Sequence, residues 1–275
     1  MTKHIERQGI GNSAKPTNPC RRYNMNQSGG KVTGKIHSIE TCGTVDGPGI
    51  RYIIFTQGCP LRCLYCHNPD TWQADSPLSK EKSVSELLKD IIKYKSYFKA
   101  SGGGVTVTGG EPLMQKEFVT SLFKTLKENE FHTCIDTSGH TNIDQATKDL
   151  LSYTDLVLLD IKSINPNTFN KTTGVNIDRT LNFNQYLCDN NIDTWVRFVL
   201  VPGLTDDLED IHKLAKYTSN FSNIKKVGVL PFHQMGMHKW NQLGMKYQLE
   251  NTPTPTNEET ERVRDIFKSY GHIVT

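Results

Sequence analysis

The chain has 275 residues, of which 36% are hydrophobic and 22% charged, a balance typical of a globular protein with one large domain. The formal net charge of +3 is dispersed, which argues against a nucleic-acid partner. No apolar run reaches about 18 residues and the amino terminus has no apolar signal core, so we expect a cytoplasmic protein with no membrane partner. Seven cysteines, three of them close together, favour metal binding over a disulfide framework.

Residues 1–33 differ from the rest of the chain. They are polar and lack apolar periodicity, so we interpret them as a flexible amino-terminal extension. Residues 34–275 contain no internal linker or repeat, and we interpret them as a single domain.

Short apolar segments alternate with helical periodicity through this domain. Such alternation predicts parallel strands joined by helical crossovers. Six repeats are too few for the eight-stranded barrel, so we expect an α/β fold with a partial (β/α)6 TIM-like barrel, with a flat doubly wound sheet as the alternative. In both folds a ligand binds at the carboxyl ends of the strands. In chain order, the predicted elements are a strand at 52–56, a helix at 83–98, a strand at 105–108, a helix at 118–126, strands at 132–136 and 156–160, a helix at 181–187, a strand at 195–200, a helix at 211–217, a strand at 226–230 and a helix at 258–270.

Three cysteines directly follow the first predicted strand. Cys59, Cys63 and Cys66 have the spacing C-x3-C-x2-C, which allows three thiolates to share one centre. In a cubane cluster, three cysteines leave one iron open, and an open coordination site is typical of catalytic centres. Incidental core thiols, or a zinc-binding module that also uses His67, are the alternatives that spacing leaves open.

Several blocks resemble a known family. Residues 46–59 and 66–68 are similar to the signature of glycyl-radical-enzyme activases in the radical S-adenosylmethionine (SAM) superfamily. The resemblance implies a [4Fe-4S] cluster on the three cysteines, which cleaves SAM reductively to methionine and a 5′-deoxyadenosyl radical. It extends over residues 34–275 and includes, in order, residues 100–106, 109–112, 159–162, 230–233 and 238–240.

The resemblance also implies partners. The order of the blocks is most similar to the branch that activates pyruvate formate-lyase under anaerobic conditions, by removing hydrogen from a glycine. Flavodoxin or ferredoxin is the implied electron donor. An activase of another glycyl radical enzyme, or a radical SAM enzyme with a small-molecule substrate, is the alternative.

Side chains at the strand ends are the candidates for binding SAM. Taken alone, Gly109, Gly110 and Glu111 could form an ordinary turn, but the resemblance assigns them to the methionine amino group. It places Asp160, Ile161 and Lys162 against SAM, although Asp160 and Lys162 could instead form a buried salt bridge with each other. Arg197, inside the predicted strand at 195–200, is a further candidate to bind the SAM carboxylate. Tyr65, Cys66 and His67 of the cysteine segment, and His233 beside the adenosine, complete the implied set.

Two further sets are predicted. Asp136, Thr137 and Asp160 match residues that hold a monovalent cation, Na⁺ or K⁺, in the family, although as bare sequence they could be helix caps. Cys42 precedes the signature segment and Asp46 begins it. We expect both residues to face the partner protein.

Overall fold

Eight strands form one sheet in the computed structural model, which describes residues 32–275. Six neighbouring strands are paired in parallel, and the sheet does not close on itself. The partial barrel predicted from the sequence is therefore confirmed. The strands are β1 (Thr33–Gly43), β2 (Arg51–Thr56), β3 (Lys80–Ser83), β4 (Gly104–Gly109), β5 (His132–Thr137), β6 (Leu156–Asp160), β7 (Thr194–Leu200) and β8 (Ile224–Pro231), in the spatial order β3-β1-β2-β4-β5-β6-β7-β8.

Two strands were not predicted. β1 pairs antiparallel with both β2 and β3 at one edge of the sheet. β1 buries only part of its length and β3 has the sequence Lys-Glu-Lys-Ser, so neither has the continuous apolar run of a central strand. Of the predicted extension, Thr33 already belongs to β1, and residues 1–31 lie outside the described residues.

Helices cover the outer face of the sheet. Ser83 begins α1 with a capping box, but the expected helix over 83–98 is interrupted by a 3-10 turn at Ile92–Tyr94. Within residues 32–275, no helix combines the length and the apolar character needed to cross a bilayer. The helices are α1 (Val84–Ile91), α2 (Lys95–Ser101), α3 (Lys116–Glu128), α4 (Gln145–Leu151), α5 (Pro166–Thr173), α6 (Asp178–Asp189), α7 (Leu208–Thr218), α8 (Met237–Gln242) and α9 (Asn257–Ser269).

The two-residue period of the strands separates the core from the site. Ile135 and Leu159 are fully buried in the main hydrophobic cluster beneath the helices. Their neighbours Asp136 and Asp160 lie on the opposite face and line the interior of the barrel. Each fully buried aliphatic side chain contributes roughly 1.5–3 kcal/mol, so the outer layer stabilises strands whose inner faces carry charge.

Candidate active site

A cavity of about 470 Å³ lies at the carboxyl ends of the parallel strands. Its walls come from the loops after β2, β4, β5, β6 and β8 and from β7. Most of the residues predicted from the sequence meet there, although they are spread over almost 190 positions of the chain. Those that line the cavity are Asp46, Cys59, Cys63, Tyr65, Cys66, His67, Gly109, Gly110, Glu111, Asp136, Thr137, Asp160, Lys162, Arg197 and His233.

Two predicted residues lie elsewhere. Ile161 is fully buried in the main core, and its backbone N–H donates to the carbonyl of Arg197 at 3.1 Å. Cys42 is an exposed residue of β1 that does not line the cavity. Asp46 lines the cavity, and burial raises the pKa of its carboxyl although Arg197 and Arg51 oppose that shift.

Backbone hydrogen bonds fix the cysteine loop, residues 58–68. Gly58 N–H donates to the carbonyl of Thr71 at 2.7 Å, and Cys59 N–H donates to that of Trp72 at 3.1 Å. Further along, Arg62 N–H donates to Thr173 at 2.8 Å, at the end of α5. The loop is therefore attached to two neighbouring segments and not only to β2.

Burial disfavours the charged form of all three thiols. Burial raises the pKa of Cys63 to about 12, and it raises the pKa of Cys59 and Cys66 as well. Within residues 32–275, no three Cys, His, Asp or Glu side chains are grouped to hold a single metal ion. A cubane cluster differs, because each thiolate binds a different iron and the sulfurs need not converge on one point. Three free thiols on one cavity wall fit that requirement.

Helix α8 packs on the cysteine loop. Trp240 Nε1–H donates to the carbonyl of Cys66 at 2.9 Å, and Lys239 Nζ donates to Asn68 Oδ1 at 2.8 Å. Asp70 accepts from Lys239 and also lies 2.9 Å from His37 Nε2 of β1. These contacts connect α8, near the carboxyl end of the chain, to the cysteine loop. Sequence reasoning noted the block at 238–240 but gave it no role.

Glu111 connects the end of β4 to the end of β5. Its carboxylate accepts from Thr137 Oγ1 at 2.6 Å and from the hydroxyl and backbone N–H of Ser138 at 2.6 and 3.0 Å. Burial raises its pKa, which these hydrogen bonds oppose. Gly110, next to Glu111 in the chain, packs directly on the backbone of Gly58. Because glycine has no β-carbon, the two parts of the chain can approach closely there. Ser138, which was not predicted, completes this junction.

Arg197 bridges the two aspartates at the neighbouring strand ends. Its Nη2 lies 2.5 Å from Asp136 Oδ1 and its Nε lies 3.0 Å from Asp160 Oδ1. Lys162 Nζ lies 2.9 Å from Asp160 Oδ2. Burial alone would lower the pKa of Lys162, but the neighbouring Asp160 is among the groups that hold it well above its ordinary value. Arg197 and Lys162 thus pair with the carboxylates of Asp136 and Asp160 on the cavity wall. Thr137 takes no part in this cluster, because its hydroxyl bonds to Glu111.

Two residues of the cavity wall, Tyr65 and His233, carry buried polar atoms without partners in the described part of the chain. The rings of His67 and His233 lie 4.3 Å apart, and His67 Nε2–H donates to the His233 carbonyl at 3.2 Å. Among the residues that the structure describes, the Tyr65 hydroxyl and His233 Nδ1 are buried atoms that lack a hydrogen-bond partner. A buried polar atom left unpaired costs roughly 1–3 kcal/mol, so these two atoms fit a site built around a polar ligand.

Comparison with known proteins agrees with this geometry. The family model described as the radical SAM superfamily matches residues 53–215. "Pyruvate formate-lyase 1-activating enzyme" of Escherichia coli K12 is 46% identical over 244 residues, which cover 88% of this chain and 98% of that protein. "Pyruvate formate-lyase-activating enzyme" of Staphylococcus epidermidis is 53% identical over 247 residues, with the same coverage. The chain belongs to the pyruvate formate-lyase activating enzyme family of the radical SAM superfamily.

Solved structures share the fold of this activating-enzyme chain. A domain of the Bacteroides vulgatus pyruvate-formate lyase-activating enzyme superposes with a TM-score of 0.54 at 21% identity, covering 63% of this chain and 98% of that one. Streptococcus suis SuiB bound to its precursor peptide SuiA gives 0.62 at 17% identity, covering 87% and 50%. At these identities the likeness supports the partial barrel alone. The resemblance stated from the sequence motifs is confirmed by the family match.

Proposed function

We propose that this activating enzyme acts on pyruvate formate-lyase, and that the cavity holds its cofactors. The observation that carries the proposal is the placement of three free thiols, of buried Cys63 and half-buried Cys59 and Cys66, on the wall that also carries the Asp136–Arg197–Asp160–Lys162 charge cluster. When bound, a [4Fe-4S] cluster and SAM supply a 5′-deoxyadenosyl radical that removes hydrogen from a glycine of the partner.

Cys59, Cys63 and Cys66 are the proposed cluster ligands, one iron each. Burial raises the pKa of all three thiols, and iron binds the thiolate, so loss of a proton accompanies binding and incorporation should become easier as the pH rises. The fourth iron has no cysteine from this loop and is left for SAM.

The charge cluster and the unpaired atoms are the proposed SAM contacts. Lys162 and Arg197 carry the positive charge that a carboxylate needs, and both are largely buried, where such an ion pair is strong. The Tyr65 hydroxyl and His233 Nδ1 are free to bond the ligand, and the His67 ring lies tilted beside that of His233. Gly109, Gly110 and Glu111 at the end of β4 remain the proposed contacts of the SAM amino group, and the bonds of the Glu111 carboxylate to β5 hold that strand end in place.

A monovalent cation on Asp136, Thr137 and Asp160 remains part of the proposal. In this structure the Arg197 guanidinium occupies the space between the two aspartates. A cation at that place would replace one positive charge by another, so Arg197 would then be free to turn toward the ligand carboxylate. Binding of the cation and of SAM should therefore strengthen each other.

Partner docking and electron delivery complete the proposal. Asp46 lies at the cavity wall and Cys42 on exposed β1, which suits two separated contacts on a protein partner. We propose flavodoxin or ferredoxin as the electron donor and the cytoplasm as the location.

The test is radical transfer to pyruvate formate-lyase. The reconstituted protein, reduced without oxygen, should release 5′-deoxyadenosine from SAM and produce a glycyl radical in purified pyruvate formate-lyase, measured by electron paramagnetic resonance. Cys63→Ala should abolish both signals, whereas the matched variant Cys188→Ala, outside the cavity, should retain both. Release of 5′-deoxyadenosine without a glycyl radical would favour another partner, and undiminished release by Cys63→Ala would refute the cluster assignment.

A further inference from the structure

The turn of residues 46–50 packs on the glycines that precede β4. Ile50 N–H donates to Ser101 Oγ at 3.0 Å, and its carbonyl accepts from Gly104 N–H at 3.1 Å. A β-carbon at Gly103 would overlap the same carbonyl oxygen. Backbone therefore packs directly on backbone at this place, which only a residue without a side chain allows.

Thr106 of β4 fastens the same turn to the sheet. Its side chain is fully buried, and its hydroxyl donates to the carbonyl of Asp46 at 2.7 Å. The hydroxyl oxygen also accepts from Arg51 Nε at 2.9 Å. Thr106 does not line the cavity, whereas Asp46 does. The hydroxyl therefore acts on the site only through the backbone of Asp46.

Arg51, the first residue of β2, is a costly side chain for a core. It is fully buried, and no ion pair in the described part of the chain includes it. Its guanidinium donates instead to the carbonyls of Val105 and Pro48 at 2.6 and 3.5 Å, and to His132 Nδ1 at 3.2 Å. A buried charge without an opposite charge is unfavourable, and an apolar side chain would fill the space without that cost. What the guanidinium provides is the set of donors that joins Thr106 and the turn.

The carboxylate of Asp46 is not used by the fold. Asp46 is half-buried on the cavity wall, and no ion pair within residues 32–275 includes it. Arg197 lies on the same wall but pairs with two other aspartates. The backbone of Asp46 is thus fixed by Thr106, while its charged end remains available to a protein that reaches the cavity.

We propose that Thr106 and Arg51 are positioning residues, which hold the turn so that the Asp46 carboxylate faces the cavity and binds the partner protein there. This inference rests on the proposed function, in which Asp46 is a docking residue, and it adds the two side chains that keep the docking residue in place. Neither lines the cavity, so both act through the turn. Their loss should weaken binding of pyruvate formate-lyase more than it affects the cleavage of SAM.

The experiment compares Thr106→Val, which keeps the shape of the side chain without its hydroxyl, with Thr106→Ser, which keeps the hydroxyl. Thr218→Val of α7 is the matched control, because Thr218 is equally buried outside the cavity and its hydroxyl donates to the Leu214 carbonyl at 2.9 Å. Initial rates of glycyl radical formation are measured by electron paramagnetic resonance at increasing concentrations of purified pyruvate formate-lyase. Thr106→Val should raise KM for this partner about three- to tenfold, as expected for the loss of one buried hydrogen bond, and should change the release of 5′-deoxyadenosine without partner less than about twofold. Thr106→Ser and Thr218→Val should change KM less than about twofold.

A double variant tests whether Thr106 acts through Asp46. Asp46→Asn alone should raise KM, and Thr106→Val added to it should raise KM less than about twofold further, because the two residues serve the same contact. An unchanged KM in Thr106→Val beside a raised KM in Asp46→Asn would overturn the inference. So would an equal rise in Thr106→Ser or Thr218→Val, or a full additional rise in the double variant.

If Thr106→Val does not fold, Arg51→Lys decides in its place. Lysine keeps the charge but lacks the Nε–H that bonds to Thr106, so KM should rise by the same factor, and an unchanged KM would refute the positioning role. The proposed function has its own signs of failure. An unchanged KM in Asp46→Asn, or no glycyl radical with the unaltered protein, would contradict that function and the inference with it.

Discussion

Replacement of Gly110 by alanine should separate two parts of the site that now touch. A β-carbon at Gly110 would overlap the carbonyl oxygen of Gly58 and lie 2.8 Å from its carbonyl carbon. That same oxygen accepts the N–H of Glu111 at 2.8 Å. The obstacle is backbone on both sides, so it cannot be relieved by a side-chain rotation, and the end of β4 must move away from the start of the cysteine loop.

The expected cost follows from three contributions. Overpacking of a close contact costs about 1–3 kcal/mol. Loss of the hydrogen bond between Glu111 and Gly58 adds about 1 kcal/mol. Alanine restricts the unfolded chain more than glycine does, which offsets about 0.4–1 kcal/mol of this cost. We therefore expect Gly110→Ala to lower the free energy of unfolding by about 1–4 kcal/mol and to reduce iron incorporation.

Gly228 of β8 provides the matched control. A β-carbon there would lie 3.8 Å from Thr275 Oγ1 and 3.9 Å from the Val196 carbonyl, which are ordinary contacts. Gly228→Ala should therefore be neutral or slightly stabilising. Both variants are measured by urea denaturation and by iron content after anaerobic reconstitution. If Gly110→Ala unfolds at the same urea concentration as Gly228→Ala and binds as much iron, the close approach has no energetic importance and the reasoning is wrong.

Three further predictions concern charge and helix ends. In the cluster-free protein, an alkylating reagent should modify Cys63 at least tenfold more slowly than exposed Cys42. The Cys63 rate should still rise with pH between 8 and 10, because burial raises the pKa of that thiol to about 12 and the thiolate fraction grows until then. The rates are measured by mass spectrometry, and equal rates for the two thiols would contradict the burial of the loop. Arg197→Met leaves two buried aspartates without their shared counter-ion and should lower the free energy of unfolding by about 3 kcal/mol, measured by urea denaturation. The control Lys225→Met breaks a half-exposed ion pair and should lower it by less than about 1 kcal/mol. Similar losses in the two variants would argue against the charge cluster. Ser83→Ala removes the capping box of α1 and should cost about 1 kcal/mol by the same measurement, with an unchanged unfolding midpoint as the contrary result.

The central strands and most of the site could be predicted from the sequence, because both depend on local patterns. The buried strands are continuous apolar runs, and β6 was predicted at its observed bounds, Leu156–Asp160. The site residues follow those runs directly, and parallel strands bring their carboxyl ends together. The family resemblance then gave roles that spacing alone could not supply.

The contacts between distant segments could not be predicted. The edge strands β1 and β3 carry many polar residues, and β3 is recognisable only through its pairing with β1. Ile161 was drawn into the predicted site because it lies between Asp160 and Lys162, although the two-residue period of a strand points it into the core. The partners of Glu111 and Arg197 depend on side-chain orientation, which no spacing reveals.

The attachment of α8 to the cysteine loop bears on the order in which the site is completed during synthesis. Trp240 and Cys66 are 174 positions apart, and Lys239 and Asn68 are 171 apart. A ribosome-bound chain that has emerged only as far as β8 already carries all three cysteines, yet lacks the helix that fastens their loop. At that stage the loop is held by its backbone bonds to Thr71, Trp72 and Thr173, and α8 adds its own contacts later, as one of the last elements made.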